Sequence, residues 1–278
     1  MGVCKKCALL DTDFLYKTHL ARNKDHHTLA DFVLDFEDYD FFCHEMIREE
    51  LTRHQIQPDP NPWLEDKIRE GRIKIFSDRD ILNELQHIYG KAATNMYLTL
   101  LEISCETFNA GFFEKYYSAM RTLDYRDDVE AFLVALKTCD DRIPHKNGVG
   151  EKKTYVLIQM MQILQGNQVY VFCSDDFKAR QSIAGLTAPV NCISILGIFH
   201  KLMKMGHEKT EMQEYYDHLT SFLKNQTEYK VWSVSGYQRL RVPVQKVFDD
   251  IYMGKFQLLR NGDLQYRGSI ESLGEFLD

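Results

Sequence analysis

The chain has 278 residues, 44% of them apolar and 12% aromatic, and a formal charge of −7. That much apolar sequence can bury a sizeable core, which excludes a disordered or low-complexity chain. The acidic balance also excludes a surface that holds nucleic acid by bulk positive charge, so any polyanion would have to be met by a local basic rim.

At the N-terminus, "MGVCKKCALLDTDFLYK" has no long apolar run followed by a small-residue cleavage site, and Lys6 stands where a myristoylation signal carries Ser or Thr. No window is long and apolar enough to span a bilayer, so the expectation is a cytoplasmic protein with no membrane partner. Seven scattered cysteines, an odd number, fit reduced and mostly buried thiols. Cys4 and Cys7 form one CxxC, but no second CxxC or HxxxH completes a zinc site, and metal or redox work there is the lesser reading.

In chain order, the first strand is expected at "CALL" (7–10) and the second at "DFFC" (40–43), with helical spacing from Glu45 to Gln55 after it. "PDPNPW" (58–63) reads as a Pro-rich turn, and "IKIF" (73–76) as the third strand. From about 78 to 145 the rhythm breaks, because "DILNELQHIYGKAATNMYLTLLEISCETF" and "DDVEAFLVALKTC" read as helices with no strand between them. In "GEKKTYVLIQMMQILQG" Val156, Met160, Ile163 and Leu164 line one face, Leu157 and Met161 widen it, and Gly166 is a natural stop. "VYVFC" (169–173) and "VNCI" (190–193) are the last strands of this alternation, which implies a parallel α/β sheet of about five strands. After residue 206, "EMQEYYDHLTSFLKN" reads as an amphipathic helix, "YKVWSVSG" and "KFQLLRNGDLQYRG" as strands, and "RNGD" as a tight hairpin turn. The expected organisation is an α/β domain over 1–205, with a helical insertion at about 78–145, and an α+β extension over 206–278.

In parallel α/β sheets chemistry gathers beyond the carboxyl ends of the strands. Asp11, Thr12 and Asp13 follow the first strand, and Ser174, Asp175 and Asp176 follow the fourth. Adjacent parallel strands lie about 4.8 Å apart, so if these two are neighbours their carboxylates converge. Several ionised carboxylates share a small volume only at a cost, which a divalent cation removes. Hard oxygen donors without a matching His or Cys set point to Mg²⁺ or Mn²⁺. Glu50, in "HEMIREEL", and Glu151, in "GVGEKKT", are two further acids on helices, although a solvated helix face carries such residues just as well.

Taken in order, these segments resemble the PIN-domain family of nucleases. The matching pieces are "ALLDTD", "IREEL", Gly150 with Glu151, and an apolar strand running into Asp175, Asp176, Ala179 and Arg180. The resemblance spans about residues 5 to 205, apart from the insertion, and implies a PIN-like three-layer α/β fold. It implies Asp11, Glu50, Glu151 and Asp175 as the catalytic acids, with Asp11, Glu151, Asp175 and Asp176 on the metal and Asp13 as a further assistant. It also implies metal-assisted hydrolysis of phosphodiester bonds, in RNA more than in DNA. Thr12, Asp13, Lys152, Ser174, Lys178 and Arg180 would face the substrate, with Lys17 and Lys153 adding to the basic rim; a solvated face, or pairing of Arg180 with a nearby acid, explains that rim equally well. A homo-oligomer or an inhibitory protein partner is compatible with the family.

Two other readings stay open. "LLDTDF" contains the DxD of haloacid-dehalogenase-like phosphatases, whose first Asp is a nucleophile, but Phe14, Cys43 and His44 stand where that family has other residues, and Glu50 and Glu151 gain no role. The other is a non-catalytic PIN-like binding protein, against which the complete acid set argues.

Overall fold

The computed structural model describes residues 5–53, 59–122, 124–125, 128–164, 169–185, 190–223 and 226–267. Its elements in chain order begin with β1 (Lys6–Leu10), α1 (Thr12–Leu20), α2 (Leu29–Leu34), β2 (Tyr39–His44), α3 (Met46–Arg53), α4 (Asn61–Arg69) and β3 (Ile73–Phe76). Next come α5 (Asp78–Tyr89), α6 (Ala93–Phe108), α7 (Phe112–Tyr116), α8 (Val129–Asp141) and α9 (Val149–Ile163). The remainder is β4 (Val169–Cys173), α10 (Phe177–Ala184), β5 (Asn191–Ile193), α11 (Ile195–Lys204), α12 (Lys209–Phe222), β6 (Glu228–Trp232), β7 (Arg239–Pro243), α13 (Val244–Tyr252), β8 (Phe256–Leu258), β9 (Asn261–Gly262) and β10 (Leu264–Tyr266).

The α/β class is borne out. The central sheet is parallel and has six strands in the order β3-β2-β1-β4-β5-β9, and a second sheet has the order β7-β6-β10-β8. All five expected strands are present. Asn261 and Gly262 do more than turn a hairpin: they supply the sixth strand, paired in parallel with Cys192 and Ile193. Gly262 has φ +81°, and a Cβ there would stand 2.9 Å from the β5 backbone, so both the turn and the close approach require glycine. In "PDPNPW", Asn61, Pro62 and Trp63 already open α4, with proline in the first turn, where its missing N–H costs nothing. Residues 54–58 and Gly166, the expected stop of the long helix, lie outside the described residues.

The chain divides into two compact units, residues 1–12 with 38–170, and residues 13–37 with 171–278. In the first unit β1, β2 and β3 pair in parallel, Ala8 against Phe41 and Phe41 against Ile73. Among the described residues the expected insertion carries helices and no strand: α5 is opened by a Ser77/Asp80 capping box, and α8 by the Asp128 side chain. Helix α9 is buried on nearly every side. From Val149 to Met161 every residue is buried except Glu151, a pattern that a surface helix with one apolar stripe would not show.

In the second unit β4, β5 and β9 pair in parallel, and α10 and α11 are capped by Asp176 and Ser194. The antiparallel β6–β7 and β8–β10 pairs form the other sheet, over which the core residues Val231, Leu240, Val242, Leu264 and Tyr266 close. The six described cysteines are buried, and burial pushes the thiols of Cys43, Cys105 and Cys192 up to about 12, which makes them poor nucleophiles. Among the described residues no helix is long and apolar enough to cross a membrane.

Candidate active site

In the first unit three of the four motif segments meet at one carboxylate. Asp11 follows the end of β1 and is buried, and its neighbour Thr12 donates its hydroxyl to Glu50 Oε2 at 2.5 Å. Glu50 reaches this point from α3, whose buried Ile47 and Leu51 fix its rotation. Gly150, in the first turn of α9, lies directly beneath the Glu50 carboxylate, which a Cβ at this position would overlap. Glu151 is the next residue and the only incompletely buried one in the first thirteen of that helix. "LLDT", "REEL" and "GVGE", far apart in sequence, are thus placed side by side by β1, α3 and α9.

Gly150→Ala should therefore displace the Glu50 carboxylate and break its bond from Thr12. The expected cost is about 0.5–1.5 kcal/mol, the worth of the lost hydrogen bond, because the carboxylate is the far end of a flexible side chain that can move aside. Urea denaturation checks it, and an unchanged midpoint would show that the close approach is not a constraint.

In the second unit Asp175 stands just past β4. It accepts the Lys17 ammonium at 2.6 Å and the Ile195 backbone N–H at 3.2 Å. Lys17, one turn along α1 from Asp13, is also 2.9 Å from the Asp13 carboxylate. Burial would lower the Lys17 ammonium, but the charges of Asp175 and Asp13 outweigh it and hold the amine protonated far above its usual range. Partial burial lifts the Asp13 carboxyl above its ordinary range, against the pull of Lys17 and with the help of the Asp175 charge.

Several residues expected at the substrate have other work. The Arg180 guanidinium is buried, donates to Asp263 at 2.6 Å and to the carbonyls of Ser174 and Asn261, and ties the β4 turn to the β9 strand. The pairing alternative for Arg180 is the one the structure shows, so it does not stand on a basic rim. Asp176 caps α10 through Ala179 N–H, and Ser174 is fully buried, its hydroxyl accepting from Asp176 N–H. Lys152 is buried over the Phe112 ring and donates to the Gly148 carbonyl; burial lowers its ammonium below the usual range. Lys153 is completely buried between Asp78 and Asp140. Lys178 is exposed. Cys4, half of the CxxC, lies outside the described residues.

Among the described residues no group of three or more His, Cys, Asp or Glu side chains is gathered to hold a metal ion. The donor chemistry nevertheless fits a hard cation, since Asp11, Glu50 and Glu151 offer only carboxylate oxygens. Comparison of the chain with protein-family models, with curated proteins and with solved structures returned no match.

Proposed function

We propose that the chain is a metal-dependent nuclease of the PIN type that hydrolyses phosphodiester bonds, with RNA as the expected substrate. The observation that carries this reading is the meeting of Thr12 and Gly150, the chain neighbours of Asp11 and Glu151, at the Glu50 carboxylate in the first unit. A phosphatase built on the DxD would need Asp11 but neither Glu50 nor a glycine beneath it.

In the first unit Asp11 and Glu151 would hold Mg²⁺ or Mn²⁺, and such an ion would supply Lewis acidity and lower the pKa of a bound water. The chain's own contribution starts with Thr12, which holds the Glu50 carboxylate in one orientation and so positions it to accept a proton from water. In the second unit Lys17, held protonated between Asp175 and Asp13, keeps an ammonium fixed beside Asp175.

The test incubates the full chain with end-labelled single-stranded RNA and Mg²⁺ or Mn²⁺. Cleavage that EDTA abolishes is expected; intact RNA with both ions would overturn the reading.

A further inference from the structure

The first unit contains a cavity of about 430 Å³ whose walls include Asn109, Phe112, Lys115, Tyr116, Pro144 and Asn147, all residues of that unit. Two stretches far apart in sequence meet there: the turn after α6 together with α7, and the segment from Ile143 to Asn147 that leads into α9. The apolar part of the wall is fixed. Phe112 is buried, and its ring centroid lies 4.8 Å from that of the half-buried Tyr116. Lys152 fastens one wall to the other, because its ammonium lies 4.0 Å from the Phe112 ring centroid and donates to the Gly148 carbonyl at 3.0 Å.

The polar part of the wall is unused. Among the described residues the side-chain amides of Asn109 and Asn147 make no hydrogen bond, and the Lys115 ammonium forms no ion pair. The segment that carries Asn147 is also held in an uncommon conformation. His145 and Lys146 have φ of +52° and +46°, a left-handed backbone that few non-glycine residues adopt, and Lys146 is fixed by Glu49 at 2.8 Å and Asp141 at 3.2 Å. Strain held in place by such partners is found at ligand clamps. The same segment runs up to a candidate acid, since a Cβ on Gly148 would stand 3.7 Å from Glu151 Oε2.

Aromatic faces, two neutral amides and one unmatched ammonium suit a flat heterocycle that carries a phosphate. The rings take the base, an amide meets a donor and an acceptor on its edge, and the ammonium meets the phosphate. An inorganic anion would use Lys115 alone, and an aliphatic ligand would leave both amides unmatched. The volume falls within the roughly 300–1,000 Å³ of small-ligand sites.

We propose that this cavity takes the base of one nucleotide, adenine before the others, against Phe112 and Tyr116, with Asn109 and Asn147 at its edge and Lys115 at its phosphate. Adenine is favoured because one amide meets its N6 donor and N7 acceptor together. That the nucleotide belongs to an RNA substrate rests on the nuclease reading; the pocket itself rests on the cavity. The helical insertion thereby acquires a role in choosing where the substrate is held, which the resemblance did not assign to it.

Isothermal titration calorimetry of the full chain in EDTA, with adenosine 5′-monophosphate, uridine 5′-monophosphate and ribose 5-phosphate, tests this without cleavage. Ribose 5-phosphate, which has no base, should bind at least about fivefold more weakly than the adenine nucleotide, the least that stacking on aromatic side chains contributes. The uracil nucleotide should also bind at least about fivefold more weakly, because a matched base edge discriminates by that much. Asn109 and Asn147 are exposed, so replacing both with alanine gives the fold no reason to fail. The variant with Asn109→Ala and Asn147→Ala should bind the two nucleotides within about twofold of each other. Lys115→Gln should weaken the adenine nucleotide about three- to tenfold and leave adenosine unaffected. Adenine nucleotide bound no more tightly than either other probe, or a preference for adenine that survives both amide substitutions, would overturn the proposal. If the adenine nucleotide binds as expected and RNA stays whole with both ions, the nuclease reading falls and the pocket stands. If RNA is cut and no mononucleotide binds, this proposal alone falls.

Discussion

Replacing Lys153 with methionine should lower folding stability by about 3–5 kcal/mol, the largest loss expected from a single substitution in this chain. The Lys153 side chain is 0% exposed, and its ammonium lies 2.8 Å from Asp78 and 3.2 Å from Asp140. Each carboxylate has a second partner: Tyr97 and His44 on Asp78, and Tyr117 at 2.6 Å on Asp140. These residues come from β2, α5, α6, α8 and α9 and from the turn after α7, so one buried cation links the helical insertion to the parallel strands of its own unit. Methionine fills the volume but strands two buried carboxylates without a counter-charge, and that penalty, more than the lost pair, sets the size of the effect. Urea denaturation followed by circular dichroism measures it. Adding Asp78→Asn and Asp140→Asn to Lys153→Met should recover much of the loss, because amides still accept from the tyrosines and carry no charge. An unchanged midpoint in the single variant would refute the assignment.

The same cluster sets a pH dependence. Burial alone would raise the Asp78 carboxyl, but the Lys153 ammonium and the His44 hydrogen bond outweigh it and hold the group well below the ordinary carboxylate range. A depressed carboxyl contributes stability that is complete above its unfolded pKa, about 3.9, and is lost as pH falls through the lower folded value. Burial would lower Lys153, yet the two carboxylates raise it, so its contribution is complete below about 10.4 and is lost as pH rises through the folded value. The contribution of this cluster should therefore be level between those limits and fall on either side, and Lys153→Met should change both slopes.

Lys153 also shows where sequence reading failed. Beside Lys152 and after Glu151 it looked like part of a basic rim. The available signal was the composition around it: Tyr155 to Met161 is apolar on several faces, and a lysine in a helix buried all round must find internal acids. Those acids, Asp78 and Asp140, sat in the segment read as an insertion, with nothing in their spacing to link them to it. Arg180 failed similarly, since its partner Asp263 lies in what read as a separate extension. The strands, by contrast, were legible because each is a short apolar run that ends sharply in polar residues. The sixth was not, because Asn261–Gly262 has the composition of a turn, and its pairing rests on a positive φ and an absent Cβ. The proximity of "LLDT", "REEL" and "GVGE" was legible from the order of the motifs, and Gly150 gains a physical reason in the Glu50 carboxylate that lies over it.

Asp11→Asn and Asp175→Asn should each lower RNA cleavage about 10²–10³-fold, the range for removing one fixed electrostatic group from a reacting centre. Both changes keep the side-chain shape. Lys17 retains Asp13 at 2.9 Å after the second, so the fold has no reason to fail, and circular dichroism checks that it has not. Either single variant cutting like the wild type would remove that residue from the proposed function. Labelling of Asp11 by a phosphomonoester substrate would transfer the residue to phosphatase chemistry instead, since a nucleophilic aspartate forms an acyl phosphate and a carboxylate that only holds a cation does not.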